Sequence, residues 1–97
     1  MRRLVVRRRA SRDLHEILIY SAREWGVDRA ERYVRDLHAV FDQILRNPVL
    51  GSPLAFSNGT YRRVNVGSHA IFFAVTDTTV AIVRVLHQRM NAPRHLP

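Results

Sequence analysis

Among the ionic and reactive side chains of this 97-residue sequence are sixteen arginines, with no lysine and no cysteine. Arginine's planar fork suits phosphate and carboxylate recognition, but it stays protonated and cannot serve as a base near neutral pH. Cleaving RNA through internal 2′-hydroxyl attack needs a base for that hydroxyl, cations for the phosphate oxygens and an acid for the leaving oxygen. Arginine supplies only the cations. His87 is the remaining candidate acid or base, with Arg84 and Arg62 or Arg63 as phosphate clamps. A regular strand through residue 87 would point Arg84 and His87 to opposite faces, so a shared site needs a strand end or a bulge between them. These residues do not make a complete catalytic set. For a nuclease the set would be His87, Arg84 and Arg62.

The other candidates have structural explanations. His15 and His38 fall on separate predicted helices and His69 begins a predicted strand; none has the spacing of zinc ligands, so no metal site is expected. Asp77 sits in a turn whose backbone its side chain can cap. Trp25 shares helical spacing with Ile17, Leu18 and Ala22, which assigns it to the core rather than to an exposed contact. No motif for a cofactor is visible, and none is expected.

These residues belong to a chain whose length suits one domain, residues 1–97, built on one small core. Hydrophobic residues make up 46% of it, as in a folded globule, and the absence of cysteine leaves stability to packing. Runs such as Ala70–Val75 are far shorter than the roughly 20 apolar residues of a membrane helix. Met1–Arg9 lacks the apolar stretch of a secretion signal, so a soluble, cytoplasmic protein is expected.

Periodicity gives the element order. Arg3–Arg8 reads as a strand at or near a sheet edge. Ser11 offers a helix N-cap with Asp13 in the first turn, and Leu14, Ile17, Leu18, Ser21, Ala22 and Trp25 form an apolar stripe ending at Gly26. Asp28 and Glu31 have capping-box spacing, and Ala30, Tyr33, Val34, Leu37, Val40, Phe41, Ile44 and Leu45 carry a longer stripe up to Asn47-Pro48. So short a link makes the helices an antiparallel hairpin. Val49–Thr60, with one proline and two glycines, reads as a surface loop.

Tyr61–Val66 and His69–Val75 then flank Gly67-Ser68, a type II′ hairpin turn, which sets Val66 opposite His69, Val64 opposite Ile71 and Arg62 opposite Phe73. One sheet face carries Val64, Val66, Ile71, Phe73 and Val75; the other carries Tyr61, Arg63, Asn65 and Phe72 and is free for contacts. Val80–Leu86 is the last strand and Asn91–Pro97 a tail. The fold class is α+β in the order β-α-α-β-β-β, a helical hairpin packed on one face of a mostly antiparallel sheet.

The formal net charge is +8 and calls for an acidic partner. On the second helix Asp28 and Arg32, Glu31 and Arg35, and Asp42 and Arg46 have favourable i,i+4 spacing and are expected to pair. The excess then falls on Arg2, Arg3, Arg7, Arg8, Arg9, Arg62, Arg63, Arg84, Arg89 and Arg94, on the sheet side and at the termini.

Taken together, Ala10, Asp13-Leu14, Ile17, Tyr20, Trp25-Gly26, Ala30, Tyr33, Leu37, Pro48, Gly51, Arg62, Gly67, His69, Ile71, Phe73, Ile82, Arg84, Val85, Leu86, His87 and Met90 resemble the ParE branch of the RelE/ParE toxin superfamily over most of the chain. The resemblance implies a toxin domain held inactive by a ParD-like antitoxin, whose flexible C-terminal segment lies along the sheet and the helical hairpin in a hetero-oligomer. It also implies a poison of DNA gyrase rather than an enzyme. RelE-like members cleave messenger RNA in the ribosome with lysines on the sheet and a tyrosine or histidine near the C-terminus. Here there is no lysine, and the last tyrosine is Tyr61.

Under the ParE reading, Arg62, Arg63, Arg84, His87 and Arg89 are the expected contacts for target or antitoxin, on gyrase or its bound DNA. Ribosome-dependent RNA cleavage is the alternative. A small arginine-rich DNA-binding protein is a second alternative, disfavoured because the chain shows no helix-turn-helix pattern.

Overall fold

Gly26 alone joins the two helices. It takes φ 90° and ψ 160°, ending α1 (Arg8–Trp25) and starting α2 (Val27–Arg46). The computed structural model describes residues 1–97, and around this hairpin it places strands β1 (Arg3–Val6), β2 (Ser52–Pro53), β3 (Arg62–Val66), β4 (His69–Val75) and β5 (Thr79–His87). The sheet order is β1-β5-β4-β3-β2, with β1 parallel to β5 and the other pairs antiparallel. The α+β arrangement read from the sequence is the one observed. Within the loop after α2, the two-residue β2 adds an edge strand that the expected order lacked.

The main core lies between the helices and one sheet face. Ala10, Leu14 and Ile17 of α1 and Leu37, Phe41 and Ile44 of α2 meet Ile71, Phe73, Val80, Ile82 and Val85, all of them buried. Their positions on each helix keep to one face at 3.6-residue spacing, and burying that face against the sheet supplies most of the hydrophobic stabilisation. Trp25 departs from expectation. It lies on the last turn of α1 and is 43% exposed, its ring edge-on to Tyr33 and beneath the guanidinium of Arg29.

Both helix starts also differ from the caps expected. α1 begins at Arg8 because the Arg7 N–H bonds to the Ile82 carbonyl, so the end of the β1 pairing sets the helix start and Ser11 lies inside it. α2 begins at Val27, with Gly26 at the cap position and Asp28 already in the first turn.

The β3–β4 hairpin has the expected register: Val66 opposite His69, Val64 opposite Ile71 and Arg62 opposite Phe73. Gly67 takes φ 55° while Ser68 does not adopt a positive φ, which fits the type II′ turn, and a Cβ on Gly67 would strike the Tyr33 ring.

The β4–β5 pair is irregular. Phe73 faces Ile82 but Phe72 faces Arg84, so Val83 is an extra residue, a bulge. A bulge reverses which face the following residues occupy. Val85 therefore joins the helix-side core, while Leu86 joins Phe72, Ala70 and Ala92 in a second buried cluster on the outer face. The tail is part of that cluster. Ala92–Arg94 form a 3₁₀ turn that sets Ala92 and Leu96 against the sheet, so the outer face around Phe72, expected to be open, is covered.

Candidate functional site

Past Ile82 the strand β1 has ended, and the outer edge of β5 faces α1 across a groove of about 460 Å³. Tyr20, Trp25 and Met90 on its rim are exposed, and Ile17 and Leu86 lie deeper. The edge is closed in part by Asp13, whose Oδ2 accepts the Val85 N–H at 3.0 Å, in the place a neighbouring strand's carbonyl would take. Arg84 donates to the same carboxylate twice, Nε to Oδ2 at 2.8 Å and Nη2 to Oδ1 at 3.0 Å, and its Nη1 donates to the His95 carbonyl at 3.0 Å. Both side chains are buried, and theirs is the one salt bridge in the protein. Asp13, expected to serve the helix dipole, instead ties α1 to the last strand.

At the far end of β5, His87 faces His69 across the β4–β5 pair, ring centroids 5.5 Å apart and planes at 71°. Tyr33 of α2 reaches the same point: its Oη is 2.6 Å from His69 Nδ1 and 3.3 Å from the Val66 carbonyl. Both bonds are satisfied when neutral His69 donates its Nδ1–H to Oη and Oη donates onward. His87 Nδ1 accepts the Arg89 N–H at 3.1 Å, which puts the proton of neutral His87 on Nε2. Burial of His69, and secondarily the nearness of His87, holds the His69 pKa below its ordinary value of 6.5. Two imidazoles in hydrogen bonds with tyrosine and backbone form an ordered cluster. His69 and Tyr33 both fall in the family pattern read from the sequence, but neither was among the expected site residues.

The expected contact residues divide into two groups. Arg84 is buried in the ion pair, and the bulge precedes it, so it and His87 remain on opposite faces. Arg62 turns back onto the loop after α2, its Nη2 donating to the Val49 and Gly51 carbonyls and its Nε to that of Leu50. Those two guanidinium groups serve the fold. Arg63 lies over the Phe72 ring and bonds Asn65, while Arg89 and His87 are exposed.

The ion pairs expected along α2 do not form. The charge division holds in part: Arg8 and Arg9, counted with the excess at the N-terminus, lie on α1, and the two helices contain eight of the sixteen arginines and seven of the eight acids, leaving the other eight arginines with a single acid, Asp77.

A family model described as the ParE toxin of the type II toxin–antitoxin system parDE matches residues 4–92. The chain belongs to the ParE toxin family. It is 45% identical over 89 residues to a Toxin ParE1 of Caulobacter vibrioides, covering 92% of each chain. Among solved structures, that of a chromosomal ParDE system from P. aeruginosa superimposes with TM-score 0.79 at 19% identity, over 90% of this chain and 96% of the other. The RelBE2 toxin–antitoxin complex from Mycobacterium tuberculosis gives TM-score 0.67 at 22% identity, over 88% and 95%. At those identities the structures share the fold of this ParE toxin.

Within that fold the matched region takes in the groove, the Asp13–Arg84 pair and the histidine cluster, and ends at Ala92, where the tail meets the sheet. No helix of this ParE toxin is long and apolar enough to cross a membrane.

Proposed function

We propose that this ParE toxin acts by poisoning DNA gyrase through protein contacts, without catalysing a reaction, and that a ParD-like antitoxin neutralises it in a hetero-oligomer. A gyrase target places it in the cytoplasm. The observation that carries the non-enzymatic reading is that the guanidinium groups a nuclease would need are taken up by other partners, even though Arg84 lines the same groove as His87. His87 is exposed at one end of β5, Arg84 is held by Asp13 on the opposite face, and Arg62 is bonded to loop carbonyls. Arg62 faces Phe73 while His87 faces His69, four residues along β4, about 13 Å at the rise of a strand. Phosphoryl chemistry requires its cation and its acid within hydrogen-bond reach of one phosphate.

On this reading the target meets arginines outside the helices, the half-buried Arg63 and the exposed Arg89 first among them, with His87 beside Arg89. Arg62 and Arg84 contribute by shaping that surface. The antitoxin takes the groove between α1 and β5. An amphipathic acidic segment would bury the exposed rings of Tyr20 and Trp25 and oppose the net positive charge, gaining its order on binding.

The test is supercoiling of relaxed plasmid by purified gyrase and ATP, run beside ribosome-programmed messenger RNA cleavage with the same toxin preparation. Blocked supercoiling or trapped cleavage complexes, with intact RNA, is the expected result. Cut RNA with unaffected gyrase would overturn the proposal and make His87 the first residue to replace.

A further inference from the structure

The tail from Asn91 to Pro97 makes few contacts for a segment so well placed. Only Ala92 and Leu96 pack into the outer cluster, and the two fastenings at its end are the Arg84 Nη1 bond to the His95 carbonyl and the Tyr61 Oη bond to the Pro97 carbonyl at 3.1 Å. Arg84 is able to make this bond while gripping Asp13 because a guanidinium has five donors in a rigid fork; a lysine ammonium at the same place would lack that reach. A buried ion pair is a poor way to add stability, since an apolar pair of similar volume commonly does as well or better. What it adds here is geometry: one guanidinium fixes α1, the edge of β5 and the tail relative to one another, and the tail carries Arg94 and follows the turn that carries Arg89.

We infer that Asp13 and Arg84 are positioning residues for target contact, fastening the C-terminal segment over the sheet so that its exposed arginines are presented in one fixed arrangement. The inference rests on the proposal that the toxin works through protein contacts made by those arginines. A contact surface held in its binding geometry avoids the loss of apparent affinity that follows when only a fraction of molecules is binding-competent. Loosening the tail therefore weakens action on the target while leaving the core and the groove in place.

Two variants separate positioning from folding. Arg84→Lys keeps a cation for Asp13 but removes the fork that reaches His95. Tyr61→Phe with Leu96→Ala loosens the same segment and leaves the Asp13–Arg84 pair untouched, so it serves if Arg84→Lys fails to fold. Each is compared with the unaltered toxin by amide hydrogen exchange, by the concentration that halves gyrase supercoiling, and by growth arrest on induced expression.

The expected result is exchange at Arg94, His95 and Leu96 faster by roughly ten-fold with β4 amides unchanged, as for a local opening. If the docked fraction falls to about a tenth, the half-inhibitory concentration rises about ten-fold. A freed tail with undiminished gyrase inhibition and growth arrest would overturn the inference, as would a tail that stays protected in both variants. An unaltered toxin that arrests growth without touching gyrase would sink the gyrase proposal alone, and the positioning inference would then be decided on growth arrest.

Discussion

His69 and His87 stand directly opposite each other on antiparallel strands, ring centroids 5.5 Å apart, with His69 bonded to Tyr33 through Nδ1. The His69 pKa is lowered, first by burial and then by His87, so in the window between its folded value and the ordinary 6.5 the unfolded chain binds the extra proton. Stability is therefore full above that window, falls as pH drops through 6.5, and levels off below the folded value. Thermal midpoints measured from pH 8 to pH 5 should decline over this range. His69→Gln should flatten the decline; a slope equal to that of the unaltered protein would show that other groups carry the proton.

Removing one member of the Asp13–Arg84 pair leaves a buried charge without its partner. Asp13→Ala should cost about 3–5 kcal/mol in urea unfolding. The double replacement Asp13→Leu with Arg84→Met should recover much of that loss, since both charges leave together. A double variant no more stable than the single would mean that the Val85 N–H, left without its acceptor, dominates the cost.

Gly67 and Gly26 both hold positive φ, 55° and 90°, but their surroundings differ. A Cβ at Gly67 would come within 2.8 Å of the Tyr33 ring, whereas at Gly26 it would meet nothing within 4 Å. Alanine at either position should destabilise by about 1 kcal/mol through backbone strain, and more at Gly67 because Tyr33 must also move. Equal losses would argue that Tyr33 yields at no cost.

Phe72 tests the outer cluster. On an open sheet face its truncation would matter little, but here it is 1% exposed beneath the tail. Phe72→Ala should cost about 3 kcal/mol or more in urea unfolding, the range for a buried aromatic. A loss below about 1 kcal/mol would fit the tail lying off the sheet in solution.

The helices and the β3–β4 hairpin were legible in the sequence because local chemistry determines them. The stripes on α1 and α2 have one period throughout, and Gly67-Ser68 admits one common turn, which fixes every pair from Arg62 to His69. The histidine cluster was not legible for a physical reason. Counting back from the Val75–Val80 pair in regular register would set His69 against Leu86; only the unannounced Val83 brings His87 there. Asp13 resembled a first-turn carboxylate because the helix start was expected four residues too late. Trp25 kept core spacing but lay on the last turn of its helix, at the rim of the groove. The tail offers just Ala92 and Leu96 between prolines, too few apolar positions to reveal any period.

Val83 makes the last strand a sequence written in two phases. Up to Ile82 the even-numbered residues face the helices; after it the odd-numbered ones do. Drawing Val83 into regular pairing opposite Phe72 would do more than straighten β5. The Arg84 guanidinium would then fall opposite Ile71 in the apolar core, Val85 would turn outward, and His87 would part from His69, dissolving the ion pair, the tail fastening and the histidine cluster at one stroke. Deleting Val83 would instead remove only the bulge and keep Phe72 opposite Arg84 and His69 opposite His87, whereas a strict two-residue period carried through Val83 would be the wrong template for redesigning the strand.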